Sequence, residues 1–236
     1  MVSAPKLLFP IDEHERLQSL YHYDILHSLR EELFDELVVL AATLFRVPIA
    51  YISLVAAEQV HYKATFGFPQ VLPAQPRAEL LCAQVVRQGQ VVVYHDLATA
   101  PQTALDAQAI QNALAHEARF YAGAPLRMPE QHSIGALCLV DQTQREFSAG
   151  EQELLEVLAN LVSQAIVVRC HCQATPGLGA ACWHSIQLQA REEVYALSAL
   201  VRYLAARYGT STPVPEEILY PVCRRLIDLQ AILHDH

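Results

Sequence analysis

The stretch RFYAGAPL at residues 119–126 and the stretch IGALCLVD at residues 134–141 decide the fold. Both are short and nearly continuous apolar runs, which is the pattern of buried strands. The polar connector RMPEQH at residues 127–132 has the length of a hairpin loop. The sequence therefore predicts two antiparallel strands, Arg119–Leu126 and Ser133–Asp141.

Three more strands are predicted upstream of this pair. Residues 49–55 and 59–66 are separated by a short gap that indicates a second hairpin, and apolar and polar residues alternate along the second run. Prolines mark a loop over residues 69–76, and Val91–Tyr94 has the composition of a buried strand. Because hairpins dominate, we expect a largely antiparallel sheet.

Segments with helical spacing of apolar residues surround these strands. Two Ser-x-x-Glu capping boxes, at residues 28–31 and 148–151, each predict the start of a helix. The helix that starts at residue 28 is closed by Pro48. The other predicted helices cover residues 12–28, 78–88, 103–117, 150–169, 183–208 and 215–234. The order of elements predicts an α+β fold with helices on both faces of the sheet.

Charge and composition exclude several partners. The 25 acidic residues outnumber the 16 basic residues, for a formal charge of −9. A nucleic-acid binder or a protein on an anionic membrane needs a basic surface, so we expect neither partner. No secretory signal is evident, and the apolar runs are shorter than a bilayer span. Six scattered cysteines do not form a disulfide scaffold. A reduced, cytoplasmic protein is the simplest interpretation.

The charged fraction is low enough to predict covered apolar surface. Only 17% of the residues are charged, against about 25% in typical chains. Three predicted helices carry apolar seams at heptad-like spacing, over residues 154–168, 186–204 and 219–233. A lone monomer could leave such seams exposed. We therefore expect a homodimer that associates through these helices.

Several motifs, in a consistent order and at plausible spacing, resemble the GAF family of bacterial signalling domains. They are the two stretches quoted above with RLQSLYHYDIL at 16–26, FDEL at 34–37, LAATLFRVPIA at 40–50, YKA at 62–64 and LCA at 81–83. The resemblance implies a GAF-like central antiparallel sheet flanked by helices, which a C-terminal helical hairpin would follow. It implies much less about function, because GAF domains bind cyclic nucleotides, tetrapyrroles, amino-acid-like molecules or metal centres, and some only relay signals.

The resemblance also sets the domain boundaries that we expect. Residues 1–12 would be an N-terminal tail, and residues 13–170 a GAF-like domain. Residues 171–182, which contain Pro176 and two glycines, would be a linker. Residues 183–236 would be a helical C-terminal extension that resembles no family that we can name.

Candidate ligand-binding residues are polar or amphipathic side chains near predicted strand ends, loops and the mid-domain helix. They are Tyr62, Lys63, Cys82, Asp96, Arg119 and Tyr121. Lys63 or Arg119 could pair with an anionic ligand, and Asp96 could accept hydrogen bonds. The alternative for each is ordinary packing or surface duty. The sequence identifies no cofactor.

The cysteines leave two chemical alternatives open. Cys82 could be the thiol of an enzyme similar to the GAF-fold free methionine sulfoxide reductases, or a small buried residue. Cys138 lies inside an apolar strand and is expected in the core. Residues 170–172 (Cys-His-Cys) could chelate a metal with Cys182 or His184, or be a frayed helix end, and we expect no metal site.

The interpretation that best fits these patterns is a non-enzymatic sensory or regulatory protein. It would bind a small molecule or a signalling partner protein and relay the signal through dimerising helices. A thiol enzyme and a tetrapyrrole-binding photosensor or redox sensor are the alternatives.

Overall fold

A computed structural model describes residue 10 and residues 12–26, 28, 30–68, 72–209, 211 and 213–234. Its described part contains one six-stranded sheet in the order β3-β2-β1-β6-β5-β4, and every pair of neighbours is antiparallel. The strands are β1 (Ile49–Val55), β2 (Gln59–Phe66), β3 (Gln75–Pro76), β4 (Val92–Tyr94), β5 (Phe120–Arg127) and β6 (Ser133–Asp141). The two hairpins that the sequence predicts therefore form the centre of the sheet.

Helices cover both faces of this sheet, which confirms the α+β prediction. They are α1 (Glu13–His22), α2 (Glu32–Phe45), α3 (Cys82–Gln88), α4 (Ala107–Ala115), α5 (Ala149–Gln173), α6 (Gly179–Tyr208) and α7 (Glu216–His234), with a 3-10 turn at Arg77–Glu79. Helices α2 and α5 share one apolar core with the sheet, and α3 and α4 form a second core on the opposite face.

The close pairing of β1 with β6 depends on a glycine. A Cβ atom on Gly135 would lie 2.0 Å from the carbonyl oxygen of Ser53 on the neighbouring strand. No side chain fits that gap, so Gly135 allows the central strands to approach.

The C-terminal hairpin of α6 and α7 packs on α2 and α5, outside the sheet. The seam residues of both helices are buried in the same core as the domain; they include Ile186, Val194, Leu197, Val222 and Leu226. The seams that led us to expect homodimerisation are thus covered by contacts within one chain, and that ground for the expectation is wrong. The low charged fraction reflects a second helical layer over the domain.

Helix α5 packs directly on β5 and β6 of the sheet. Its length and composition would allow a membrane span, but 61% of the apolar window is buried inside the protein. Leu154, Leu158 and Val162 are among its buried residues. This burial is the pattern of a helix at the centre of a domain core.

The start of the domain differs from the prediction at two points. Helix α1 ends at His22 instead of residue 28, because Asp24 adopts a left-handed conformation with a φ of 46°. The capping box predicted at residues 28–31 does not form: the Ser28 hydroxyl donates to the carbonyl oxygen of Ile25, and α2 begins after Glu31 without a side-chain cap. The capping box of Ser148 is confirmed.

Other boundaries also move. The connector between α5 and α6 is only residues 174–178, because both helices extend into the predicted linker. The helix predicted over residues 78–88 is split by Leu80, which is extended. The helix predicted over 103–117 begins at Ala107, because the side chain of Asp106 accepts a hydrogen bond from the backbone of Thr103 and closes a turn first. Strand β3 replaces part of the predicted proline loop.

Candidate ligand-binding site

A cavity of about 450 Å³ lies between the sheet and α4. Tyr51, Tyr62 and Tyr121 project into it from β1, β2 and β5, and the segment that leads from β2 to α3 contributes Phe68 and Gln75. The rings of Tyr51 and Tyr62 lie 5.5 Å apart with an edge-to-face orientation, and Phe68 lies 6.0 Å from Tyr51. The sheet side of the cavity is therefore an aromatic floor.

Polar groups at the rim are largely hydrogen-bonded to the protein. The Tyr62 hydroxyl donates to the side-chain oxygen of Gln75 over 3.2 Å. The side-chain amide of Asn112 donates to the carbonyl oxygen of Glu79 over 2.9 Å, which joins α4 to the 3-10 turn. His116, after the end of α4, has Nδ1 2.8 Å from the carbonyl oxygen of Asn112. These hydrogen bonds fix the polar side chains at the rim, and most of the groups that form them are uncharged.

The tyrosines are neutral at physiological pH. Burial is the main cause that raises the pKa of Tyr51, Tyr62 and Tyr121 above the ordinary value of 10.0. The Tyr121 hydroxyl also lies 3.2 Å from the Cys138 sulfur. The described lining residues include one carboxylate, that of Glu79, and one imidazole, that of His116, and none is Lys or Arg.

Two of the six predicted site residues line the cavity, namely Tyr62 and Tyr121. Cys82 is fully buried in the core beneath it, between α3 and the sheet. Asp96 and Arg119 form a bidentate ion pair, with both N–O distances 2.8 Å, that joins the segment after β4 to the start of β5. Neither residue lines the cavity, although their neighbours Leu97 and Ala118 do, so a role for this pair in ligand binding stays a prediction.

Lys63 lies on the opposite face of the sheet from the cavity. Strand β2 contains a bulge, since Tyr62 pairs with Ser53 while Ala64 pairs with Ile52, and Lys63 falls between the two pairs. Its ammonium group reaches Glu31 at 3.0 Å. Lys63 therefore does not line this cavity: adjacent residues of a strand point to opposite faces, and the Lys63 side chain meets Glu31. Its contact with an anionic ligand stays a prediction.

Glu31 is the centre of a buried cluster that joins the sheet to the C-terminal hairpin. One carboxylate oxygen accepts hydrogen bonds from Lys63 and from Arg169 of α5, the latter over 2.8 Å. The other oxygen accepts from the indole of Trp183 over 2.5 Å and from Gln187 over 3.2 Å, both on α6. We call these five residues the Glu31 cluster. No prediction from the sequence included it, although Glu31 was assigned to a cap.

The thiols near the cavity are poor nucleophiles. Burial raises the pKa of Cys82 to about 11, and burial also raises the pKa of Cys138. A nucleophilic cysteine needs the opposite shift. Among the described residues no group of three or more His, Cys, Asp or Glu side chains could hold a metal ion. Cys172 is instead paired with Cys182 in a disulfide, which the sequence interpretation did not foresee.

Residues that sequence reasoning missed complete the cavity. Tyr51, Phe68, Gln75, Asn112 and His116 all line it. Tyr51 could have been found from the strand pattern, because it lies on the same face of the first hairpin as Tyr62. The others come from the loop after β2 and from α4, where periodicity does not indicate which side chains converge.

The fold and the cavity together define a small α+β domain with a ligand-sized cleft on one face and a helical layer on the other. The sequence model of the GAF domain matches residues 29–166. The chain therefore belongs to the GAF domain family.

The chain is also similar to several characterised proteins. It is 30% identical over 159 residues to a cyclic di-GMP phosphodiesterase of Pseudomonas aeruginosa, an alignment that covers 67% of this chain and 26% of the relative. The chain thus matches about a quarter of the length of that curated relative.

Among the solved structures with a similar fold are two in which the match covers most of the solved chain. The GAF domain of an Acinetobacter phosphoenolpyruvate-protein phosphotransferase has a TM-score of 0.48 and 18% identity, and the match covers 68% of this chain and 94% of that one. A free methionine-R-sulfoxide reductase of Neisseria meningitidis, solved with its substrate, has a TM-score of 0.47 and 16% identity over 69% of this chain and 91% of that one.

Proposed function

We propose that this GAF domain senses a small uncharged or cationic molecule in the cavity beside α4 and passes the signal to the C-terminal hairpin. The observation that carries the proposal is the cavity itself, about 450 Å³ with an aromatic floor formed by Tyr51, Tyr62 and Phe68. Cavities of this size lined by aromatic groups and a few polar ones are typical of small-molecule sites.

The lining selects against anions. Glu79 is the acidic residue among the described lining residues, and no lysine or arginine stands among them to neutralise a phosphate or carboxylate. An unpaired charge is costly to bury, whereas a cation can lie against tyrosine faces. A nucleotide such as cyclic di-GMP, for which the Pseudomonas relative is named, does not match this cavity.

We further propose that the chain is a regulatory module and not a catalyst. The alignment with the phosphodiesterase covers about a quarter of that relative, so we assign the regulatory input, not hydrolysis, to this chain. The raised pKa of Cys82 keeps it a neutral thiol, so we expect no turnover of free methionine sulfoxide. Homodimerisation, a partner protein and a cytoplasmic location stay predictions.

The route from the cavity to the hairpin runs through β2. Tyr62 lines the cavity, and the next residue, Lys63, points to the other face of the strand, where it contacts Glu31. Glu31 in turn holds Trp183 and Gln187 of α6. A ligand that shifts the Tyr62 ring therefore acts on the residue next to the Glu31 cluster. Such a ligand changes the output if it binds two arrangements of the cluster unequally.

Calorimetric titration with three probes of similar shape tests the ligand class. The probes are 2-phenylethylamine (cationic), 2-phenylethanol (uncharged) and phenylacetate (anionic). We expect the first two to bind at least tenfold more tightly than phenylacetate, a difference of about 1.4 kcal/mol. Equal or tighter binding of phenylacetate would contradict the charge selection.

A matched pair of variants locates the binding. Ala113→Phe fills the cavity from α4, whereas Ala115→Phe adds the same ring at an exposed position of that helix. We expect the first variant to lose binding and the second to keep it. Binding that survives in the Ala113→Phe variant would place the probes elsewhere and refute the proposed site.

A further inference from the structure

A disulfide fastens the start of the C-terminal hairpin to the domain. Cys172 lies in the last turn of α5, Cys182 is the fourth residue of α6, and their Cα atoms are 5.8 Å apart. The two helix ends can approach because Gly179 lacks a side chain: a Cβ atom there would lie 2.3 Å from the carbonyl oxygen of Cys172. The disulfide between Cys172 and Cys182 thus depends on the close backbone contact that Gly179 permits.

The two cysteine residues differ in exposure. Cys172 is buried, with 4% of its surface exposed, whereas Cys182 is exposed. A cavity of about 600 Å³ lies along the same connector, lined among others by Pro176, Gly177 and His184. Neither cysteine lines that cavity, but the exposed residue, Cys182, is the one that a dissolved thiol meets first, which favours attack on its sulfur.

The bridge is adjacent to the Glu31 cluster. The residue after Cys182 is Trp183, whose indole donates to Glu31. Trp183 is the single tryptophan of the chain, so its fluorescence reports this contact. Opening the bridge removes the covalent constraint on the first turn of α6, one residue from the hydrogen bond that docks the helix.

We propose that Cys172 and Cys182 form a reversible redox pair that exchanges with a low-molecular-weight thiol–disulfide couple and controls how the start of α6 docks. This proposal does not rest on the ligand of the cavity. It assigns a second input to the chain, at the helical layer on the opposite face of the sheet.

The exchange balances as two substitutions at sulfur. A thiolate attacks the sulfur of Cys182, the Cys172–Cys182 bond breaks, and Cys172 leaves as a thiolate that takes a proton from solvent. A second thiolate attacks the added sulfur of the mixed disulfide, and Cys182 leaves and is protonated. Two external thiols become one disulfide, and the protein gains two thiols.

Equilibration of the full chain in glutathione buffers of graded potential tests the proposal. When thiols are counted in denaturant after an acid quench, we expect four in the oxidised protein, which are Cys82, Cys138, Cys170 and Cys223, and six in the reduced protein. The emission of Trp183 should change in one two-electron transition that coincides with the gain of the two thiols.

Two serine variants make the test specific. Cys182→Ser, at an exposed position, should abolish the transition and show the emission of the reduced protein, while Cys170→Ser should keep both the bridge and the transition. Three results would each overturn the proposal: six thiols in every buffer, the same Trp183 emission in both redox states, or a transition that persists in the Cys182→Ser variant. Urea unfolding that matches the reduced wild type establishes that Cys182→Ser is folded.

Discussion

Replacing Glu31 by glutamine should destabilise the whole chain, because the carboxylate is shared by three elements. Glu31 accepts hydrogen bonds from Lys63 of β2, Arg169 of α5 and two residues of α6. The Glu31→Gln substitution keeps the shape of the side chain and removes its charge. Its amide would also place N–H donors against groups that are themselves donors.

The magnitude follows from burial. The side chains of Lys63 and Arg169 are 3% and 5% exposed, and that of Glu31 is 13% exposed. Removing one partner of a buried ion pair costs about 3–5 kcal/mol, because the remaining charge is left uncompensated. Burial already lowers the pKa of Lys63, although Glu31 opposes that shift. The glutamine oxygen retains part of the contact, so we expect about 3 kcal/mol.

Urea unfolding followed by Trp183 fluorescence measures this loss. At about 2–4 °C per kcal/mol for a chain of this size, the midpoint of thermal unfolding should fall by about 6–12 °C. The matched control is Glu32→Gln, which removes the neighbouring carboxylate. Glu32 is 72% exposed and pairs with Arg191 at the surface, so its loss should cost less than about 1 kcal/mol.

The reasoning fails if the two variants unfold alike. A Glu31→Gln variant within about 1 kcal/mol of the wild type would mean that water or a rearranged partner compensates Lys63 and Arg169. An equally large loss of stability in the Glu32→Gln variant would show that removing any charge at the start of α2 has the same effect. The contacts of the Glu31 cluster would then not explain the loss.

Three further predictions concern pH, docking and strand pairing. Burial opposes the ionisation of Glu13, but its two arginine partners outweigh burial and lower its pKa below the ordinary value of 4.5. The wild type should therefore be more stable than Glu13→Gln in urea at pH 7, and this difference in stability should vanish as the pH falls below 4.5. An equal difference at pH 3 would contradict the prediction. The Leu197→Ala substitution, on the buried face of α6, should lower the free energy of unfolding in urea by about 2–5 kcal/mol. The Leu188→Ala substitution, on the exposed face of α6, should change that free energy little. Similar losses in the two variants would mean that α6 does not pack on the domain. Gly135→Ala should cost at least about 1–3 kcal/mol in thermal unfolding because the new methyl group meets the backbone of Ser53, and an unchanged midpoint would refute the close pairing.

The sheet and its helical layers were predictable because their signals are local. Apolar runs and a short polar connector identified β5 and β6, and helical spacing identified the seams of α6 and α7. What covers a seam is a long-range property, and the same stripe fits a second chain or the chain's own α2 and α5. The sequence therefore predicted the apolar faces correctly, but it did not indicate that α2 and α5 of the same chain cover them.

The candidate site was less predictable, because side-chain direction depends on pairing. The alternation of β2 already places Lys63 opposite to Tyr62, but the run alone does not indicate which face borders the cavity and which face meets Glu31. The same holds for Glu31, whose local pattern fits a capping box although distant donors hold its carboxylate. The Cys172–Cys182 pair depends on how sharply α5 turns into α6, which spacing does not specify.

The most direct test of the account is the emission of Trp183 while 2-phenylethylamine is titrated into the cavity. The probe does not absorb at the wavelength that excites tryptophan, and Trp183 lies on the other face of the sheet. A change in Trp183 emission must therefore result from a structural change that the protein transmits from the cavity. The account predicts a change that saturates with the calorimetric binding curve and is absent in the Ala113→Phe variant. Binding that saturates by calorimetry while the emission of Trp183 stays constant would contradict the claim that the cavity communicates with the C-terminal hairpin.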